Sequence, residues 1–243
     1  MEQGGRQMNI RELCYLLKYA KDPEEIDRRR AEILELLPEA EIMTDYDQQN
    51  WTHQYDLWQH SLHTVLGLPR GMEDDMLYLA ALLHDIGKPE CQTKGERDGK
   101  INMHYYGHPE KSLQLVKEKI VPNLEQKGEF LSEAEKKRLF YYTAFHDDHV
   151  SLRKKHLRRH LKMAPFGEFQ KLMLLQTADA KAHIQVPVIE ERVRICEALA
   201  GEYGRELYQS IIEEETDSPE PVTQAEYDAF NMHLKNRIMN HVF

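Results

Sequence analysis

Apolar residues recur along the chain mostly at intervals of three and four, the period of a helix with one buried face, and alternating stretches are scarce. The pattern predicts a mainly helical chain. One amphipathic segment is "NIRELCYLLKYA" (9–20), and a second is "DPEEIDRRRAEILELLP" (22–38). In the second, Asp22 caps, Pro23 takes the first helical position, Glu25 completes a capping box and Pro38 ends the helix. "HQYDLWQHSLHTVLGLP" (53–69) predicts a third helix and "MEDDMLYLAALLHDIG" (72–87) a fourth, with Gly87 suited to a left-handed cap after its last turn.

The helical period lapses over 88–106, where Asp98-Gly99 is a turn signal and a loop or small hairpin is expected. It resumes in "HPEKSLQLVKEKIVPNL" (108–124) and, behind a Ser132/Glu135 capping box, in "EKKRLFYYTAFHDDH" (135–149). Further helices are expected over 151–162, 165–183 and 188–215. A polar linker, "TDSPEPVT", then leads to a last helix over 224–243, whose apolar residues need a surface to dock on. The expectation is a single all-α domain over 1–243, with N-terminal helices in 9–37 and C-terminal helices in 188–243 packed on a central core.

Several residues of ligand type sit at helix ends or inside apolar helices: His60, the adjacent His84 and Asp85, His108, His146 and Asp179. Polar groups in apolar surroundings need partners, and Asp179 within "KLMLLQTADAKA" is the clearest case, because an unpaired buried carboxylate is costly. A cation would satisfy it. Neighbouring helical residues project about 100° apart, so His84 and Asp85 can share an ion only if other helices close the wedge between them. Imidazole and carboxylate without sulfur suit a borderline or hard divalent ion, leaving manganese, iron, cobalt, nickel and magnesium open.

In order and local context, this series resembles the HD superfamily of metal-dependent phosphohydrolases. More narrowly, "HQYDLWQHSLHTV", "ALLHDIGKP", "YYGHPEKS", "FHDD" and "TADAKA" resemble the HD domain fused to bacterial tRNA nucleotidyltransferases, over residues 53 to about 183. The resemblance implies an HD-domain-like helical bundle holding one or two divalent ions and hydrolysing a phosphomonoester or phosphodiester with a metal-activated water. Carried over by position, His60, His84, Asp85 and Asp179 hold a first ion. His108 and His146 match the histidines that hold a second ion, with Asp85 bridging.

Around that core, Lys88 is a candidate for catalysis and for contact with a phosphate oxygen, or else a helix-end cation favouring the dipole. His53 is a candidate for phosphate contact or leaving-group protonation. His63 is read as a packing residue. His104, Asp147, Asp148 and His149 are read as surface or ligand-orienting residues, with Asp147 or Asp148 placed to orient His146 through its far nitrogen. Arg153 and Arg158, in the basic run "RKKHLRRHLK", are candidate substrate contacts, against the plainer reading of a solvated face.

Charge and composition narrow the function. A net charge of −10 argues against non-specific nucleic-acid binding. Cys14, Cys91 and Cys196 are odd in number and widely spaced, which fits neither a disulfide framework nor a cysteine zinc site. No apolar run reaches the ~20 residues of a membrane span, and a cytoplasmic location is expected. Asp45 and Asp47 form an Asp-x-Asp pair without the Gly-Ser strand-turn of nucleotidyltransferases, so CCA addition is not expected. The Glu-Asp pair of alarmone hydrolases and the GYP triplet of cyclic-di-GMP enzymes are also lacking after "HDIGKPE". The expected partner is a small phosphorylated substrate, a nucleotide or 2′,3′-cyclic nucleotide. The alternatives are a catalytically silent HD module that binds a nucleotide or partner, and a dNTP triphosphohydrolase.

Overall fold

The computed structural model describes residues 7–216, and the expected helix over 224–243 lies outside them. Within them the fold is helical: α1 (Ile10–Tyr19), α2 (Pro23–Asp27), α3 (Arg30–Leu36), α4 (Leu57–Gly67), α5 (Asp75–Leu83), α6 (His108–Leu115), α7 (Val121–Gln126), α8 (Glu133–Phe145), α9 (Lys154–Leu161), α10 (Phe166–Lys181), α11 (Pro187–Ala200) and α12 (Glu202–Thr216). A two-stranded antiparallel hairpin, β1 (Thr93–Arg97) and β2 (Lys100–His104), fills the expected insertion. Its turn residues Asp98 and Gly99 have φ of 53° and 74°, the left-handed pair that a tight hairpin turn demands.

Side-chain caps set four of the described helix starts, at Asn9, Asp22, Asp56 and Ser132. Ser132 accepts from the Glu135 amide while Glu135 reaches back to the Ser132 amide, the expected capping box. Asp22 likewise accepts from the Glu25 amide, at 2.9 Å, but the Glu25 carboxylate turns to the Lys21 amide, so the reciprocal half of that box goes to the preceding residue. The second expected helix is broken between α2 and α3, and the helix expected over 188–215 is broken at Gly201. The run from α6 to α7 passes through one π-helical stretch, Val116–Ile120, just ahead of Pro122, which lacks the amide needed to continue the ladder.

α5 is the central element, with every residue from Met76 to Leu83 buried. A helix apolar on all sides must be surrounded, and α1, α4, α8 and α10 pack against it. Burying each leucine of this run contributes about 1.5–3 kcal/mol. The buried side chains form one continuous core from Met8 to Ile211. Two glycines permit close approaches that position the site. At Gly67 a Cβ would lie 2.8 Å from the Ala178 Cβ, so α4 and α10 touch backbone to backbone next to Asp179. At Gly87 a Cβ would lie 2.5 Å from the Ser112 amide nitrogen. Gly87 has φ −80°, so it is not the left-handed cap expected; what demands glycine is the contact with α6, sealed by a Gly87 N–H donated to Ser112 Oγ.

Candidate metal centre

His60 comes from α4, His84 and Asp85 from the end of α5, His108 from the first turn of α6, His146 from the end of α8, and Asp179 from α10. All six are buried. Asp85 stands between two groups. Its Oδ2 faces His60 Nε2 at 3.4 Å and His84 Nε2 at 3.1 Å, while its Oδ1 faces His108 Nε2 at 3.1 Å and His146 Nε2 at 3.3 Å. Asp179 Oδ1 completes the first group, 3.0 Å from His60 Nε2 and 3.6 Å from His84 Nε2. Two ligand sets that share one carboxylate are therefore present: His60, His84, Asp85 and Asp179, and Asp85, His108 and His146.

The backbone selects which nitrogen each imidazole offers. His84, His108 and His146 each place Nδ1 2.8 Å from the carbonyl oxygen three residues earlier, of Ala81, Tyr105 and Thr143 respectively. A carbonyl only accepts, so Nδ1 carries the hydrogen and Nε2 is left as the ligating atom. The far nitrogen of His146 is thus held by Thr143 and not by Asp147 or Asp148, which corrects that expectation.

Two features of this geometry call for a cation. His108 Nε2 and His146 Nε2 meet at 3.1 Å, yet both rings have committed Nδ1–H elsewhere, so neutral rings would set lone pair against lone pair. His84 Nε2 is buried and off the hydrogen-bonding direction of every neighbour. Burial works to raise the carboxyls of Asp85 and Asp179, but His84 and Lys88 around Asp85, and His60 and His84 around Asp179, hold both well below the ordinary range. Burial likewise opposes charge on His84, and the Asp85 and Asp179 carboxylates overcome it, pushing its pKa up to about 10. The Lys88 ammonium thus supplies positive charge where the donor set suits a divalent ion.

Lys88 is buried, with Nζ 2.6 Å from Asp85 Oδ2, 2.9 Å from Gln48 Oε1 and 3.0 Å from His53 Nε2. It is bound into the site, not a helix-end cation in solvent. His53 lies in the loop before α4, outside the helix expected to include it. Burial and the Lys88 charge drive its pKa far down, so its ring is neutral and accepts from Lys88.

A cavity of about 320 Å³ opens onto this cluster, and its lining includes Asp85, Lys88, His53, His108 and Asp179. Arg153 and Arg158 are not among its lining residues: Arg153 is exposed at the start of α9, and Arg158 pairs with Glu214 on α12. His63 stacks on Tyr55 as a packing residue, its pKa lowered by burial. His149 is exposed, whereas His104 and Asp147 do line the cavity.

Two residues not anticipated from the sequence also line it. His183, one turn beyond Asp179, donates from Nδ1 to the Asp179 carbonyl and sets its Nε2 3.1 Å from His53 Nε2. Its i,i+4 spacing to Asp179 was a readable signal. Arg192, from α11, donates to the His146 carbonyl at 3.1 Å and pairs with Asp147 at 3.0 Å. No local pattern could have placed it there.

Comparison with curated proteins yields no match. The HD domain family pattern matches residues 52–180, a span that begins beside His53 and ends just after Asp179. With the His, His-Asp, His, His, Asp ligand order assembled in one buried cluster over that span, the chain belongs to the HD domain family, a superfamily of metal-dependent phosphohydrolases.

Proposed function

We propose that the chain hydrolyses a phosphate ester of a nucleotide or 2′,3′-cyclic nucleotide with the help of one or two divalent ions. The observation that carries this reading is that Asp85 divides its two oxygens between two ligand sets while itself lining an open cavity. A metal held only for folding would have a closed shell; here Asp85, His108 and Asp179 all border the cavity. A bound ion would neutralise phosphoryl charge and lower the pKa of a coordinated water from about 15.7 towards ~7.

The chain's own residues supply the rest. The carbonyls of Ala81, Tyr105 and Thr143 fix the Nε2 atoms of three ligands before anything binds, which limits reorganisation. Lys88 offers an ammonium that lines the cavity, its three hydrogens directed to Asp85, Gln48 and the neutral ring of His53; with an ion on Asp85, the hydrogen given to that carboxylate is released and can turn toward a non-bridging phosphate oxygen. The neutral state of His53 favours its holding Lys88 over its delivering a proton. Arg192 adds a second cation to the wall.

The test is hydrolysis of bis-p-nitrophenyl phosphate and 2′,3′-cyclic AMP with manganese, nickel, cobalt and magnesium in turn. Activity with at least one ion, abolished in Asp85→Ala, is expected. An active Asp85→Ala variant, or no cleavage with any ion, rejects the reading.

A further inference from the structure

Outside the HD cluster, the turn after α8 and the buried face of α9 bring together Asp148, His156 and His160. The two histidines are four residues apart, so they lie on one face of the helix, one turn above the other. They are 7 % and 0 % exposed. His160 Nε2 lies 3.2 Å from Asp148 Oδ2, and its Nδ1 meets the Tyr141 hydroxyl at 3.0 Å, which holds the ring in one orientation. His156 Nε2 is buried and has no hydrogen-bond partner.

One ligand atom from each of the three residues falls within 4.8 Å of the others. Around a tetrahedral ion with ~2.1 Å ligand distances, donor atoms are about 3.4 Å apart. The His160–Asp148 distance already meets that spacing, and a small movement of His156 closes the third side. We propose that Asp148, His156 and His160 form a separate site for a divalent transition ion of the zinc, cobalt or nickel type, independent of the hydrolase site.

The donor set argues for that class. Two imidazoles disfavour magnesium and calcium, and the lack of sulfur disfavours copper(I). Burial pushes the pKa of His156 down to about 4, so its ring is neutral and ready to ligate. Arg159 pairs with Asp148 in this structure, but its side chain is 41 % exposed, so an incoming ion can displace it into solvent. The bound ion would tie α9 to the turn that begins at His146.

The experiment compares full-length wild type, His156→Ala and Arg159→Ala, each loaded with cobalt(II) and desalted. His156→Ala is expected to hold one ion fewer per chain than wild type and to lose part of the visible cobalt absorption. Arg159→Ala is expected to keep the wild-type count and, in titration, to bind this ion several-fold more tightly, because the competing guanidinium is gone. Equal counts in wild type and His156→Ala overturn the proposal. Should His156→Ala fail to fold by circular dichroism, Arg159→Ala decides alone: unchanged cobalt affinity marks the cluster as an ion-free hydrogen-bonded pair and also overturns it.

Discussion

Lys88 Nζ lies 2.6 Å from Asp85 Oδ2, the same oxygen that faces His60 and His84. The lysine and a metal ion therefore compete for one carboxylate. Removing one partner of a buried pair costs about 3–5 kcal/mol, because the other charge is left uncompensated. Lys88→Met should accordingly lose roughly that much stability in EDTA. In saturating manganese the gap to wild type should narrow, since the ion takes over the compensation. Urea unfolding under both conditions checks this, and an equal gap in EDTA and manganese would show that Lys88 does not compete.

Arg192 joins the site from beyond the span that the HD family covers, holding the His146 carbonyl and Asp147. Groups that orient ligands are typically worth 10- to 100-fold in activity. Arg192→Ala should lower kcat/KM by about that factor while metal content stays at the wild-type level, and Arg192→Lys should recover only part, because one ammonium cannot repeat the two-ended contact. Steady-state kinetics beside metal analysis would tell; a loss of metal equal to the loss of rate would point to ligand disruption instead.

At Gly87 a methyl group would meet backbone atoms of α6, which cannot rotate away. Gly87→Ala should destabilise the fold by about 1–3 kcal/mol, the usual cost of overpacking. Because Gly87 lies between Asp85 and Lys88, activity should fall further than the unfolded fraction explains. Thermal unfolding and turnover measured on one preparation separate the two effects.

The Glu135 carboxyl is lowered to about 2 by its bond with Arg11, supported by the Ser132 amide and hydroxyl. A depressed folded pKa means that this stabilisation is present above the unfolded value near 4.5 and is lost as pH falls through about 2. Wild type should therefore lose stability over that window more steeply than Glu135→Gln. At neutral pH, Ser132→Ala should cost about 1 kcal/mol from the lost cap. Denaturant melts from pH 7 down to pH 2 give both results; parallel curves for wild type and Glu135→Gln would refute the Glu135 assignment.

The site was legible in the sequence to the extent that it depends on short-range spacing. His84 and Asp85 do end a buried helix, and His60, His108, His146 and Asp179 do converge on them, because polar residues placed in apolar helical faces must meet inside the bundle. Arg153 and Arg158 lie outside the cavity lining for the complementary reason. A basic run signals charge but not the direction in which it faces, and Arg158 spends that charge on Glu214.

By itself the sequence determined the helical periodicity, the caps at Asp22 and Ser132, the Asp98-Gly99 hairpin and the ligand order, all of which arise from interactions within a few residues. Only the tertiary structure decided which oxygen of Asp85 each imidazole faces, why Gly87 must be glycine, and that His183 and Arg192 join the wall. Those outcomes depend on how closely α4, α5, α6, α8, α10 and α11 pack, and packing is settled between residues far apart in the chain, where no local pattern reaches.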